Sequence, residues 1–535
     1  MASTNVLWFC WIIWASALVG VYSHNTPPTL PIYSLHPEPI SKHRAIELIK
    51  ALYNVTQPHV KEDGTRVIVT CNNYTLEVDT AHGGIWSSDE SRLWNHALRP
   101  RLVDQTHALG IANKLIDTHH LLPNHSTSPL RLKFHEFSGT RLAVLHNSNR
   151  SDYYLDTRLI YTTTVNVPGR SAFPVVGGGG SYQIVLGENG RLIAFHGTSP
   201  KTAYKSFQAK VIPQKDADKT FLEMMTDTKI ETYNSSLAYY IAPAFTKQEF
   251  LYPVYVYEAT TLVGGRTVQV RRVTLPATDF GPPIIIPKIQ HSTRPPRPTE
   301  TRTARARSIP WKRHDDHKRE FGTSWIQWRD NAQNFVAEML TVSPPWTKVF
   351  NWGNEAAWES DWNRNDDFYV DAVDFVFYTG HADGNGWQLS PPDDGDLTVS
   401  DVVGLPDRWG KQDCEWIVIA ACGPLQDDII GTGGSVFRWR PAFDGLHMLL
   451  GYGTVSGDNS EEGRTLVQYA KSGRTVKSSW FRAALNTQSS GVWAAALWGA
   501  SPGADPGYDH IWGQGSVSPD PVSPNTWYAM WVPIL

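Results

Sequence analysis

The sequence predicts an α/β domain over residues 323–535, preceded by a β-rich α+β domain over residues 24–280. Three observations predict it. Beyond residue 322, continuous apolar runs alternate with segments of helical periodicity, the pattern of a parallel sheet buried on both faces. Before residue 280, strand-like runs are punctuated by glycine turns, as hairpins require. Between them, residues 281–322 are so rich in Pro, Thr and Arg that they read as an extended linker.

Bulk composition agrees. A chain of 535 residues, 41% hydrophobic and 19% charged, is globular and too long for one core. Of 22 tryptophans, 17 fall from Trp311 onward, so separate cores are expected for the two halves. A formal net charge of -4 gives no sign of the basic face that a nucleic-acid binder carries.

The first element is an apolar run, Val6 to Tyr22. Small residues Val21 and Ser23 allow cleavage after Ser23, which makes residues 1–23 a signal peptide and the mature chain secreted, free of the membrane. The rival is an uncleaved N-terminal anchor, since 17 apolar residues reach the lower edge of a spanning helix. Five N-x-[ST] sequons, at Asn54, Asn73, Asn124, Asn149 and Asn234, all precede residue 240 and point to a glycosylated half. With Cys10 in the signal, Cys71, Cys414 and Cys422 remain; the simplest scheme pairs Cys71 with Cys414 and leaves Cys422 free.

In the N-terminal half, Ser41 caps a helix reaching Leu52. Strands follow at 66–71, 74–79, 158–167, 181–186 and 191–197, the last two flanking a turn at Gly187–Gly190. A second hairpin, 254–262 with 267–275, turns at Gly264-Gly265. The Gly177–Gly180 run lacks the Lys-Ser/Thr of a phosphate loop and reads as a flexible turn. In the linker, Lys312-Arg313 is a dibasic pair of the kind cut in secreted precursors, although a solvated basic stretch is the plainer reading.

The C-terminal half opens with a helix over 331–340. Buried strands are expected at 373–380, 415–421, 447–455 and 492–499, with helices at 465–470 and 476–485 between the last two. Two of these strands run into reactive residues, His381 and Cys422. Functional groups of open α/β sheets gather beyond the carboxyl ends of the strands, so neighbouring strands would bring imidazole and thiol to one edge. A thiol needs a base or an imidazolium beside it to become a nucleophilic thiolate. Gly384 and Gly423 would supply turns whose N–H groups face an oxyanion, and Asn354, or Asn351, would orient the imidazole. His447 is an alternative base, and Trp352, Trp387 and Trp409 are candidate pocket walls.

The blocks FVFYTGHADGNG and WIVIAAC, whose His and Cys are 41 residues apart, resemble the caspase-like group of cysteine peptidases, which includes caspases, legumains and gingipains. The resemblance spans about residues 345–500. It implies a caspase-hemoglobinase-like fold, a mostly parallel sheet with helices on both faces, with Cys422 as nucleophile and His381 as its base. Ala382 replaces the glycine that usually follows the histidine, and Gly-Pro after Cys422 replaces the caspase Arg-Gly, so no caspase specificity carries over. The blocks WGNEAAWESDW, DFVFYTGHADG, WIVIAACGPL and GLHMLLGYGT are closer still to a family of uncharacterised secreted bacterial and fungal proteins.

The expectation is therefore a secreted cysteine-nucleophile hydrolase or acyl transferase acting on a peptide or small-molecule acyl substrate, with no cofactor. Two rivals stand beside it. One is a non-catalytic secreted binding protein on the same fold; the other is a cyclase or transferase using the aromatic-rich crevice on a small molecule. No metal site is expected. His314-Asp315-Asp316-His317 reads as a solvated run, and the groups Asp361/Asp366/Asp367/Asp371 and Asp393/Asp394/Asp396 as solvated loops.

Overall fold

The computed structural model describes residues 28–282 and 319–534, apart from 37–39, 123–127, 199–201, 226–227, 244, 264, 327–328, 391–394, 404–407 and 428–433. The signal-like segment, Asn124, Lys312-Arg313, His314–His317, Asp393 and Asp394 lie outside the described residues.

Among the described residues, the C-terminal half contributes seven strands to a nine-stranded mixed sheet, not the mostly parallel one expected. Its order is 347–353, 320–325, 375–379, 416–420, 448–452, 493–500, 526–533, 141–146 and 149–154. The first five strands run parallel. Every later pairing is antiparallel. Together with the mostly antiparallel pairings of the N-terminal half, this overturns the caspase-like class.

The cause is local. Two helices, Glu462–Ala470 and Val476–Thr487, precede the strand Trp493–Ala500. One crossover helix returns the chain to the start of the sheet, whereas a helical pair leaves it at the opposite end, so this strand enters antiparallel. An apolar run buried on both faces carries no mark of direction.

The two faces also differ. On one, Phe335, Leu466, Trp480 and Phe481 from three helices pack on Phe377, Trp416, Val418 and Leu450 of the sheet. The other face is covered by Trp362, Trp387, Trp409 and Trp439, carried by loops and turns, the short strand Gly386–Gln388 and one five-residue helix, Ser435–Trp439. Trp387 stacks on both Trp409 and Trp439, with centroids 5.8 and 5.3 Å apart. These rings are core, filling the layer that helices fill on the first face.

The halves share a core. Trp86, Trp94, Leu142 and Ile193 pack in one cluster with Phe377, Trp480 and Met530, and strands Arg141–His146 and Asn149–Tyr154 extend the C-terminal sheet. In return, Ala382–Asp383, Gly386–Gln388 and Asp396–Thr398 join the sheet system of the N-terminal half. Arg482 and Arg474 reach Glu90 at 2.5 and 2.8 Å. Against burial, these guanidinium groups hold the Glu90 carboxyl down to about 2. Tryptophan counts therefore did not mark separate cores.

In the N-terminal half, Ser41 caps the helix Lys42–Tyr53 by accepting the Arg44 N–H at 3.1 Å. Gly177–Gly180 is no loose turn: a Cβ at Gly178 would lie 2.2 Å from the Asn486 carbonyl oxygen, and one at Gly179 would lie 2.3 Å from that of Ala242. Only glycine allows this close backbone approach. Cys71, Cys414 and Cys422 are all free, so the expected Cys71–Cys414 bridge is absent. Asp361, Asp366, Asp371 and Asp396 are buried, not solvated. Among the described residues, no helix is long and apolar enough to cross a membrane.

Residues 323–535 expressed alone would leave Thr526–Pro533 as an unpaired edge and Arg482 without Glu90. We expect that fragment to aggregate, whereas the full chain stays soluble. Size-exclusion chromatography with circular dichroism checks this, and a monomeric, folded fragment would refute it.

Candidate functional site

Strands Phe375–Thr379 and Trp416–Ala420 are parallel neighbours, and their last pair is Thr379 with Ala420. Each chain runs two residues further, to His381 and to Cys422, so both stand at the carboxyl edge of the sheet.

That edge is occupied by a residue the sequence reading passed over. Arg271, on the strand Arg266–Pro276 of the N-terminal half, is fully buried there. Its Nη1 donates to Thr379 Oγ1 at 3.0 Å and to the Ala420 carbonyl at 2.8 Å. Its Nη2 donates to Glu462 Oε2 at 3.2 Å and to the Gly457 carbonyl. Glu462, also fully buried, further accepts from Gln488 at 2.8 Å, from Asn331 at 3.0 Å, and from Tyr452 Oη.

The strand bearing Arg271 lies across the edge like a bar. Gln269 pairs with Ala382, next to His381, and the Arg272 N–H donates to the Ser456 carbonyl at 2.8 Å. Arg266 clamps the bar through Nη1, which donates to both Asp383 oxygens at 2.8 Å, and through a two-pronged ion pair to Asp396 from Nε and Nη2.

A signal for Arg271 does exist in the sequence. Val268 and Val270 are buried, then Val273 and Leu275, so the two-residue alternation slips by one at Arg271-Arg272. The pairing register shows why: Tyr257 faces Val273 and Ala259 faces Val270, leaving two residues opposite one. Such a bulge re-aims a side chain, here into the sheet edge.

His381 is 0% exposed. Burial, reinforced by the Arg271 charge, pushes its imidazole down to about 3, so it is neutral at physiological pH. Its carbonyl accepts from the Gln388 N–H at 2.9 Å. Cys422 is 1% exposed, with Sγ 3.8 Å from the Ser456 carbonyl and 3.9 Å from Ser456 Oγ. Burial raises its thiol above the usual range, outweighing the lowering by Ser456 and Arg271. The thiol thus bonds to Ser456, and His381 is not among its hydrogen-bond partners.

The supporting residues divide. Gly423 has φ +68°, which glycine tolerates best, but its N–H is committed to the Thr454 carbonyl at 3.0 Å. Gly384 sits at the tip of the turn between two short strands, closed by Asp383 Oδ1 accepting from Asn385 and Gly386 at 2.7 and 3.1 Å. Asn354 follows the edge strand Thr347–Gly353, two strands from His381 and so about 10 Å away; Asn351 accepts from Thr323 and Trp325 instead. Asn351 is thus engaged by its own neighbours in the edge strands. His447 precedes Met448–Tyr452 at the opposite, amino edge, so it is no base for Cys422. There it pairs with Asp509 at 2.6 Å and Asp520 at 3.3 Å. Trp352 is half-buried, while Trp387 and Trp409 belong to the core.

Acidic groups collect at the same amino edge. Asp374, Asp413 and Glu415 bring one carboxylate oxygen each within 4.8 Å of the others, as do Asp366, Asp367 and Asp371. Burial lifts Asp374 to about 7, with Asp413 adding to the effect. Among the described residues these two groups are the arrangements that resemble cation ligands.

Residues 322–532 match a family model described as a domain of unknown function (DUF6345). No curated protein matches. Among solved structures, the chain is similar to an uncharacterized protein from Eubacterium rectale, with 12% identity, a TM-score of 0.28, and coverage of 47% of this chain and 85% of that one.

Two outcomes follow. In the folded protein, iodoacetamide at pH 8 should alkylate half-buried Cys71 first, while Cys414 and Cys422 react only on unfolding; peptide mass mapping reads this. His447 gives a pH dependence. Burial disfavours its charge, but the Asp509 and Asp520 carboxylates prevail and lift it to about 9. A folded pKa above the unfolded value of about 6.5 stabilises the fold fully below pH 6.5, and that share drains away as pH rises through 9. The loss is on the order of 3 kcal/mol. Thermal melts from pH 6 to 10 should fall steeply for the native chain and more gently for His447→Gln.

Proposed function

We propose that this chain is a secreted cysteine-nucleophile hydrolase or acyl transferase in a closed state. The strand Arg266–Pro276 is its cover. One observation carries the reading: His381 and Cys422 stand at matching positions beyond Thr379 and Ala420, on adjacent parallel strands, under a strand from the other half. In the open state Cys422 Sγ would attack an acyl carbon, and His381 would take the thiol proton and pass it to the leaving group. Water, or an amine, would then resolve the acyl-enzyme.

Removing the cover supplies what this chemistry needs. Water returning to the edge relieves the desolvation that keeps the thiol protonated and the imidazole a weak base. The signal-like segment Val6–Tyr22 supports secretion, as do the exposed side chains of sequon residues Asn54, Asn73, Asn149 and Asn234.

A second reading has its own observation. Complete burial of both groups, with the thiol bonded to Ser456, suits a non-catalytic secreted binding protein.

One experiment separates them. The full chain, before and after cleavage at Lys312-Arg313 by a dibasic-specific protease, is treated with an acyloxymethyl ketone probe. We expect labelling of Cys422 only after cleavage, with at least about a tenfold loss in His381→Ala. Absence of labelling in both forms favours the binding protein, and labelling that ignores His381 removes the dyad.

A further inference from the structure

We propose that Lys477, with His96 and Asp505, forms an amine site that condenses with a small aromatic aldehyde to give an imine. It lies apart from the carboxyl edge and does not depend on the hydrolase reading.

The geometry is a three-member relay. Lys477 Nζ lies 3.2 Å from His96 Nδ1, and His96 Nε2 lies 2.8 Å from Asp505 Oδ2. With Asp505 accepting from the Nε2–H tautomer, Nδ1 carries the lone pair and faces the amine. This is the order nucleophile, base, orienting carboxylate that activates serine and cysteine elsewhere, here with an amine in first place.

Several features make that amine lose its proton more readily than an ordinary lysine. Lys477 is 3% exposed. It is the second residue of the helix Val476–Thr487, capped by Thr475, and the positive end of a helix disfavours an ammonium. Behind His96, Arg99 donates to the His96 carbonyl at 2.7 Å, and its charge disfavours the imidazolium. Asp505 and the ring faces of Trp498 and Tyr508, 4.5 and 5.7 Å from Nζ, act the other way. Asp509, beside the start of the helix, is engaged by His447 at 2.6 Å. The balance lies with burial, which pushes the Lys477 ammonium down to about 7. Burial and the Lys477 charge hold His96 neutral.

The surroundings select the partner. His96 touches the rings of Trp498, Tyr508 and Tyr528 at 5.0, 4.7 and 4.9 Å, and Trp498 stacks on Tyr528 at 5.2 Å. Flat aromatic walls suit a flat aromatic ligand. The outer wall is Asp505 and Tyr508, whose exposures of 38% and 43% put the site one side chain below solvent.

The chemistry balances without a redox partner. The Nζ lone pair forms the C–N bond as the carbonyl π pair moves to oxygen. The adduct nitrogen sheds a proton to His96 Nδ1, where Asp505 supports the imidazolium. His96 returns that proton to the alkoxide, giving a carbinolamine, and then takes the second nitrogen proton, which leaves with the hydroxyl as water while C=N forms, so aldehyde and amine become imine and water.

The full chain is incubated with benzaldehyde and cyanoborohydride from pH 6 to 10, and benzylated lysines are quantified by peptide mapping. At pH 7 Lys477 should react at least about tenfold faster than exposed Lys42 and Lys247, with its rate half-maximal near pH 7. Lys477→Arg should abolish the mark. His96→Gln should slow it about tenfold while the near-ultraviolet spectrum stays native. If that variant unfolds, Asp505→Asn, at a partly exposed carboxylate, should slow it as well. Labelling no faster than at Lys247, or rising only above about pH 9, overturns the proposal. An unchanged rate in a folded His96 or Asp505 variant overturns the relay.

Discussion

The arrangement of this protein turns on one buried ion pair, Arg271 with Glu462. Both side chains are fully buried, and neither half supplies both partners. Their mutual attraction offsets only part of the cost of desolvating two charges. What makes the pair tenable is the rest of the shell: Thr379, Ala420 and Gly457 accept from the guanidinium, while Gln488, Asn331 and Tyr452 donate to the carboxylate. Removing either partner would leave the other charged and buried, at roughly 3–5 kcal/mol. The contact is therefore better understood as fixing where the N-terminal bar lies than as a source of stability.

That placement governs the chemistry of the edge. The same guanidinium lowers the Cys422 thiol and the His381 imidazole, while burial raises the first and lowers the second. For the imidazole the two influences add. For the thiol they oppose, and burial prevails. Buried at this edge, both groups are neutral, which is the pairing least suited to thiolate chemistry. Neutral forms are also the least costly way to bury a thiol and an imidazole.

Much of this was legible in the sequence, and what was not has identifiable reasons. The runs ending at His381 and Cys422 gave two buried strands because continuous β-branched and aromatic residues suit strands covered on both faces. Their direction relative to Trp493–Ala500 was not encoded in any single run; it depended on two helices intervening, not one. The shared core was hidden because Trp86, Trp94 and Leu142 carry no sign of which half they will meet. Arg271 was missed for a different reason. A cation in a strand reads as solvent-facing, and only the slipped alternation around it marks the bulge that turns it inward.

The two edges of the parallel strands handle charge in opposite ways, and the difference follows from what crosses them. At the carboxyl edge a neighbouring strand delivers a guanidinium, so Glu462 has a permanent counter-charge. At the amino edge the main chain itself fills the gaps: the Asp374 carbonyl accepts from Glu415 and Trp416, and the Glu415 carbonyl accepts from His447 and Met448. Side chains emerging there are mostly acids, and His447 is already held by Asp509 and Asp520. Burial then lifts Asp374, and lifts Glu415 well above the carboxylate range, so that protons replace missing cations. A fixed ion pair resists pH, whereas a protonated acid yields to it. The carboxyl edge consequently carries a charge pair that is insensitive to pH, and the acidic amino edge is the end whose charge follows it.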